Sequence, residues 1–148
     1  MKVIRALVVI GAVLLSGCGI LPWPHKANTT PAVQGTLYDG DRPLVGSEVR
    51  IATGTEQDPC GGTTVDSRTE PDGAFSVPAL TNVQLFSVPM AHSVFTWHLC
   101  YKEQSAWKWL SSAKRYTLVD TGPYGMETMH CNVARAGEDK CQVHRENE

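Results

Sequence analysis

In Val94-Phe95-Thr96-Trp97-His98-Leu99-Cys100-Tyr101, every second side chain is an aromatic ring or a leucine. Successive side chains of a strand point to opposite faces. Phe95, Trp97, Leu99 and Tyr101 therefore line one side, and Val94, Thr96, His98 and Cys100 the other. A helix would split the same four large residues between opposite sides. The segment reads as a β-strand with one buried face.

The same period runs outward in both directions. Upstream, Val33, Gly35 and Leu37 alternate before the turn Asp39-Gly40-Asp41-Arg42-Pro43, and Val45, Ser47, Val49 and Ile51 alternate after it. Gly54–Gly62 is a loop carrying Cys60. Thr63–Thr69 is β-prone and leads through Glu70-Pro71-Asp72-Gly73 to a short strand at Phe75–Val77. Val83, Leu85 and Phe86 begin another, closed by Pro89. Downstream, Lys102–Ser105 turns the chain into Ala106–Leu110, where Trp107 and Trp109 share a side. Tyr116–Asp120 and Glu127–Ala134 supply two more strands. No amphipathic helix of ten residues is visible. Seven or eight short strands punctuated by turns predict an all-β sandwich over residues 33–141, with a solvated tail at 142–148.

Composition narrows the class. The 148 residues are 42% hydrophobic and 19% charged, with mean hydropathy −0.18. This is too apolar for a disordered chain and too sparsely charged for a coiled coil. The net charge of −2 gives no basic footprint for nucleic acid.

The first residues belong to a different regime. Lys2 and Arg5 precede an uncharged apolar run from Ala6 to Leu15, followed by small residues, as in an export signal. The 17 uncharged residues of 6–22 are broken by three glycines and fall short of the roughly 20 needed to span a bilayer. Leu15-Ser16-Gly17-Cys18 resembles the lipobox of bacterial lipoproteins. The resemblance implies removal of residues 1–17, acylation of Cys18 and a membrane contact made by acyl chains. By the same resemblance, Gly19 after the cysteine favours the outer membrane, with the domain facing the periplasm. Loss of Lys2 and Arg5 leaves 11 basic against 15 acidic residues, a mature charge of −4. Such a domain gains nothing from an anionic surface, so the lipid is the expected membrane contact. Residues 18–32, with Pro22, Pro24 and Pro31, read as a semi-stiff tether. Leu21 and Trp23 beside the lipid suit either the membrane interface or the domain surface.

A second resemblance covers residues 33–80. Val33-Gln34-Gly35-Thr36-Leu37, Asp39-Gly40, Arg42-Pro43-Leu44-Val45-Gly46 and Glu48-Val49-Arg50-Ile51 are similar to the opening of carboxypeptidase regulatory-like, transthyretin-like domains. Thr69-Glu70-Pro71-Asp72-Gly73-Ala74-Phe75-Ser76-Val77 is similar to that family's turn and strand, with Glu70 at a position usually held by Asp. The resemblance implies a seven- or eight-stranded Greek-key sandwich. Domains of that family are mostly non-catalytic, and no catalytic residues come with it.

Apart from Cys18, four cysteines remain, an even number in an exported domain. Three disulfide pairings are possible. We expect Cys60–Cys100, tying the long loop to the central strand, and Cys131–Cys141, closing a short loop. Zinc is the rival use, but no Cys-x-x-Cys pair exists.

No other pattern makes a site by itself. His92 and His98 are six apart and His130 lies near the end; as satisfied or surface histidines they need no metal. Asp39, Asp41, Asp58, Asp72 and Asp120 sit near turns, where Asp is already explained, although converging loops would gather them around calcium. Ser47, Ser76, Ser87 and Ser93 lack a nucleophile context. We therefore expect no enzyme, no cofactor and no metal. Trp107 and Trp109 are the candidate contact surface: on an exposed face they would mark a partner or glycan site, whereas strand tryptophans ordinarily turn to the core. The first functional expectation is a lipid-anchored envelope module that binds or scaffolds another envelope protein. A periplasmic inhibitor or immunity lipoprotein and a small periplasmic hydrolase are the alternatives.

Overall fold

The computed structural model describes residues 24–85, 93–117, 122–123, 125–137 and 139–145. The export signal, Cys18, Leu21, Trp23, Phe86, Ser87, Pro89, His92 and Asp120 lie outside the described residues.

The fold is all-β. Its strands are β1 (His25–Asn28), β2 (Ala32–Asp39), β3 (Arg42–Pro43), β4 (Glu48–Ala52), β5 (Thr64–Arg68), β6 (Ala74–Val77), β7 (Thr81–Gln84), β8 (Ser93–Glu103), β9 (Ala106–Thr117), β10 (Met126–Asn132) and β11 (Cys141–Arg145). One sheet runs β11-β10-β2-β3, with β6 also paired to β2; the other runs β5-β4-β8-β9; β1 and β7 form a separate ribbon. The β2–β10 pairing is parallel and the other pairings are antiparallel.

The two larger sheets meet over a sandwich-like core. Val33 and Leu37 of β2, Phe75 and Val77 of β6, and Met129 and Cys131 of β10 face Val49 and Ile51 of β4, Trp97, Leu99 and Tyr101 of β8, and Leu110 of β9. Alternation within each strand selects these residues, except Leu110, which a register shift on β9 brings to the core. Trp97, Leu99 and Tyr101 face the core as the alternation predicts, but the opposite face is open only at its start: Val94 is exposed, whereas His98 and Cys100 are buried as well.

Several boundaries move. The tether expected to reach residue 32 contains β1, which pairs with β7. The strand expected from Val45 begins only at Glu48, because Gly46 adopts φ 67° and Ser47 N–H donates to Thr69 Oγ1. Ala106–Leu110 and the start of the segment read at Tyr116–Asp120 belong to one strand, β9. The solvated tail expected from Gln142 is strand as far as Arg145. Its side chains at 142–144 are exposed, but its backbone completes the edge of β10. Both expected disulfides form: Cys60–Cys100 spans 40 residues and Cys131–Cys141 spans 10.

Candidate binding face

The outer face of the β5-β4-β8-β9 sheet is built in rows. Cross-strand register places Asp66, Arg50, Cys100 and Trp109 side by side, with Thr64, Ala52, His98 and Ser112 in the next row. On the other side of the first row, Arg68 is paired with Glu48 and Lys102 with Trp107.

A β-bulge puts the tryptophans there. Leu99 pairs with Ser111 but Cys100 with Trp109, so Leu110 is the extra residue on β9. An extra residue inverts the side-chain parity on either side of it. Beyond the bulge Ala113 packs against the core, whereas before it Trp107 and Trp109 turn outward and are half-buried. The ordinary inward orientation of strand tryptophans is thus overturned. Leu110 fills the core position that parity would otherwise hand to a tryptophan.

Each indole is held by polar neighbours. The Arg50 guanidinium carbon lies 3.8 Å from the Trp107 ring centroid, with the Lys102 ammonium 5.7 Å away. Arg50 Nε and Nη2 donate to the two Asp66 carboxylate oxygens at 2.7 and 2.8 Å, and Nη1 reaches the Cys60 carbonyl at 3.4 Å. The fork on Asp66 fixes the guanidinium plane, which matches the flat indole above it. The Asp66 hydrogen bond also raises the Arg50 pKa, so this cation is permanent. Glu48 accepts from Lys102 at 2.7 Å and Arg68 at 3.1 Å; the Lys102 bond is the main cause of its lowered pKa. Exposed pairs of this kind add little stability. Their effect is orientation: they align charges along the edge of Trp107.

The loop between β4 and β5 forms the wall. Cys60 is bonded to Cys100 in the sheet beneath, and Thr55 N–H and Gly61 N–H both donate to the Asp58 carbonyl. Between this loop and the sheet lies a groove of about 450 Å³, lined by Arg50, Gln57, Asp58 and Trp107 among others. It offers a flat aromatic edge, a fixed cation, a carboxylate and an amide.

Trp109 is fixed differently. Its Nε1–H donates to Ser112 Oγ at 2.9 Å, and Ser112 Oγ lies 2.5 Å from His98 Nδ1. Indole is only a donor, so the serine hydrogen is left for a neutral His98. His98 is 5% exposed and also hydrogen-bonds the backbone of Gly54. Burial lowers its pKa below the ordinary value, while the Gly54 bond acts in the opposite direction. The unfolded chain takes up a proton near pH 6.5 and the folded ring only at lower pH. The unfolded state therefore binds more protons in that interval. The urea midpoint is expected to fall as pH drops from about 7 through 6. His98→Gln should flatten that part of the profile.

Among the described residues, no three of His, Cys, Asp or Glu gather as metal ligands. Asp72 accepts from Ala74 N–H within its own turn at 2.9 Å. Among the described residues, Ser112, outside the set read from sequence, lies within hydrogen-bond reach of a histidine. It lies 14 residues from His98, and only the β8–β9 register joins the two.

No protein-family model, curated protein or solved structure matches this chain.

Proposed function

We propose that the protein is a lipid-anchored, non-catalytic binding module of the bacterial envelope. Acyl chains on Cys18 fix it to a membrane, with the domain in the periplasm. The face carrying Trp107 and Trp109 engages another envelope protein. The observation that carries the binding part is the outward turn of both tryptophans beside the groove. Aromatic and arginine side chains held rigid at a surface lose little freedom on binding, and they dominate interface energetics. The lipobox-like Leu15-Ser16-Gly17-Cys18 supports the anchor. The likeness of residues 33–80 to transthyretin-like accessory domains supports a Greek-key sandwich and a role without catalysis. Anchoring raises the concentration of the module near a partner in the same membrane system.

Two measurements test this reading. Intact mass of the purified protein should give a chain beginning at an acylated Cys18; a chain beginning at Met1 overturns the anchor. In intact cells, a photo-crosslinker at Gln57, exposed on the wall of the groove, should give a discrete adduct that is absent with the crosslinker at Thr128, on the other sheet. Trp107→Ala should weaken that capture by about 30-fold, the loss of roughly 2 kcal/mol ordinary for a central aromatic contact. Equal adducts from both positions would refute the assignment of the face.

A further inference from the structure

The outer face of the opposite sheet carries a second feature. His130 on β10 pairs with Gln142 on β11, and Thr128 pairs with His144. His130 and His144 are therefore diagonal neighbours on one face of an antiparallel pair, an arrangement within reach of long side chains. Their ring centroids are 6.5 Å apart with planes at 77°, and both residues are exposed. His130 Nδ1 is 2.9 Å from Thr36 Oγ1 on the parallel neighbour β2.

We infer that His130 and His144 form a two-histidine site for a borderline divalent metal ion such as zinc or copper(II). Imidazole nitrogen is the donor these ions prefer once thiolates are excluded, and both nearby cysteines, Cys131 and Cys141, are joined in a disulfide. With metal–nitrogen bonds of about 2.0–2.1 Å, two rings on one ion have centroids roughly 5 Å apart. Rotation of the exposed His144 side chain closes the remaining distance without moving a strand. Thr36 supplies the support usual for a ligating histidine. When Nδ1–H donates to its hydroxyl, the tautomer is fixed and Nε2 keeps its lone pair for the metal. A basin of about 500 Å³ adjoins His130; Thr36, Tyr38, Asn132 and Gln142 line it together with two cations, Arg135 and Lys140, which favour an anionic oxygen co-ligand there. Two protein nitrogens leave coordination positions open, and the basin gives water or a small oxygen ligand access to them. The site is independent of the tryptophan face, which lies on the other sheet.

The test is calorimetric titration of the full-length, disulfide-intact protein with zinc chloride, repeated with copper(II). One ion should bind per chain. His130→Ala and His144→Ala should each weaken binding by at least about ten-fold, and Thr36→Val by a smaller factor. His25→Ala, on the separate β1–β7 ribbon, should leave binding unchanged. Unchanged urea midpoints of the metal-free variants establish that they fold. Absence of saturable binding below millimolar metal, or loss of affinity in only one of the two histidine variants, would overturn the site.

Discussion

Gly35→Ala is expected to lower the unfolding free energy by about 4 kcal/mol or more, enough to abolish folding in a marginal background. A Cβ on Gly35 would lie 1.7 Å from the Met129 carbonyl oxygen and 2.7 Å from its carbon. Both atoms are backbone, so no side-chain rotation relieves the overlap. Gly35 sits in the centre of β2, opposite Met129 on β10 and Phe75 on β6. Separating β2 from β10 would break the parallel ladder and open the core around Met129, which is fully buried. Gly40→Ala is the contrasting case. A Cβ there meets nothing within 4 Å, and the cost is that of φ +62°, about 1–2 kcal/mol. Urea denaturation of the two variants should separate them clearly. Equal midpoints would mean that β2 and β10 do not approach as described.

Removal of Cys60–Cys100 is the second large effect, and it joins stability to the binding face. The bridge closes a 40-residue separation, which by the chain-entropy argument contributes about 4 kcal/mol, against roughly 2.7 kcal/mol for the 10-residue separation of Cys131–Cys141. Cys100 is fully buried and Cys60 nearly so, making alanine a better replacement than serine. Cys60→Ala with Cys100→Ala should therefore shift the urea midpoint further than Cys131→Ala with Cys141→Ala. It should also diminish the crosslink from Gln57, because the loop that walls the groove loses its attachment to β8. The Cys131–Cys141 variant, altered on the other sheet, should keep that crosslink. The reverse order of midpoints would show that strain or packing outweighs loop closure at these bridges.

Much of this architecture is legible in residue order because strand periodicity is a local property. Leu37, Val49, Ile51, Trp97 and Leu99 announce their burial by spacing alone, and turns such as Asp39-Gly40 and Pro71-Asp72-Gly73 mark where strands stop. An even set of four cysteines announces two bridges, but which of the three pairings forms is decided by the fold, which sets Cys141 opposite Cys131 and brings the Cys60 loop onto Cys100. The edges are less legible. β1 and β11 hold polar sequences, His25-Lys26-Ala27-Asn28 and Cys141-Gln142-Val143-His144-Arg145, whose place in a sheet comes from a partner strand remote in the chain or from the disulfide beside it.

The sequence by itself determined that Trp107 and Trp109 share a side; the tertiary structure decided which side. The reason is parity. Two-residue alternation fixes relative orientation within a strand, but a single extra residue at Leu110 inverts orientation across it, and only the pairing of β9 with β8 locates that residue. The same holds for Ser112 beside His98 and for His130 beside His144. Each pair is a statement about register, set by backbone hydrogen bonds between strands that no single strand contains.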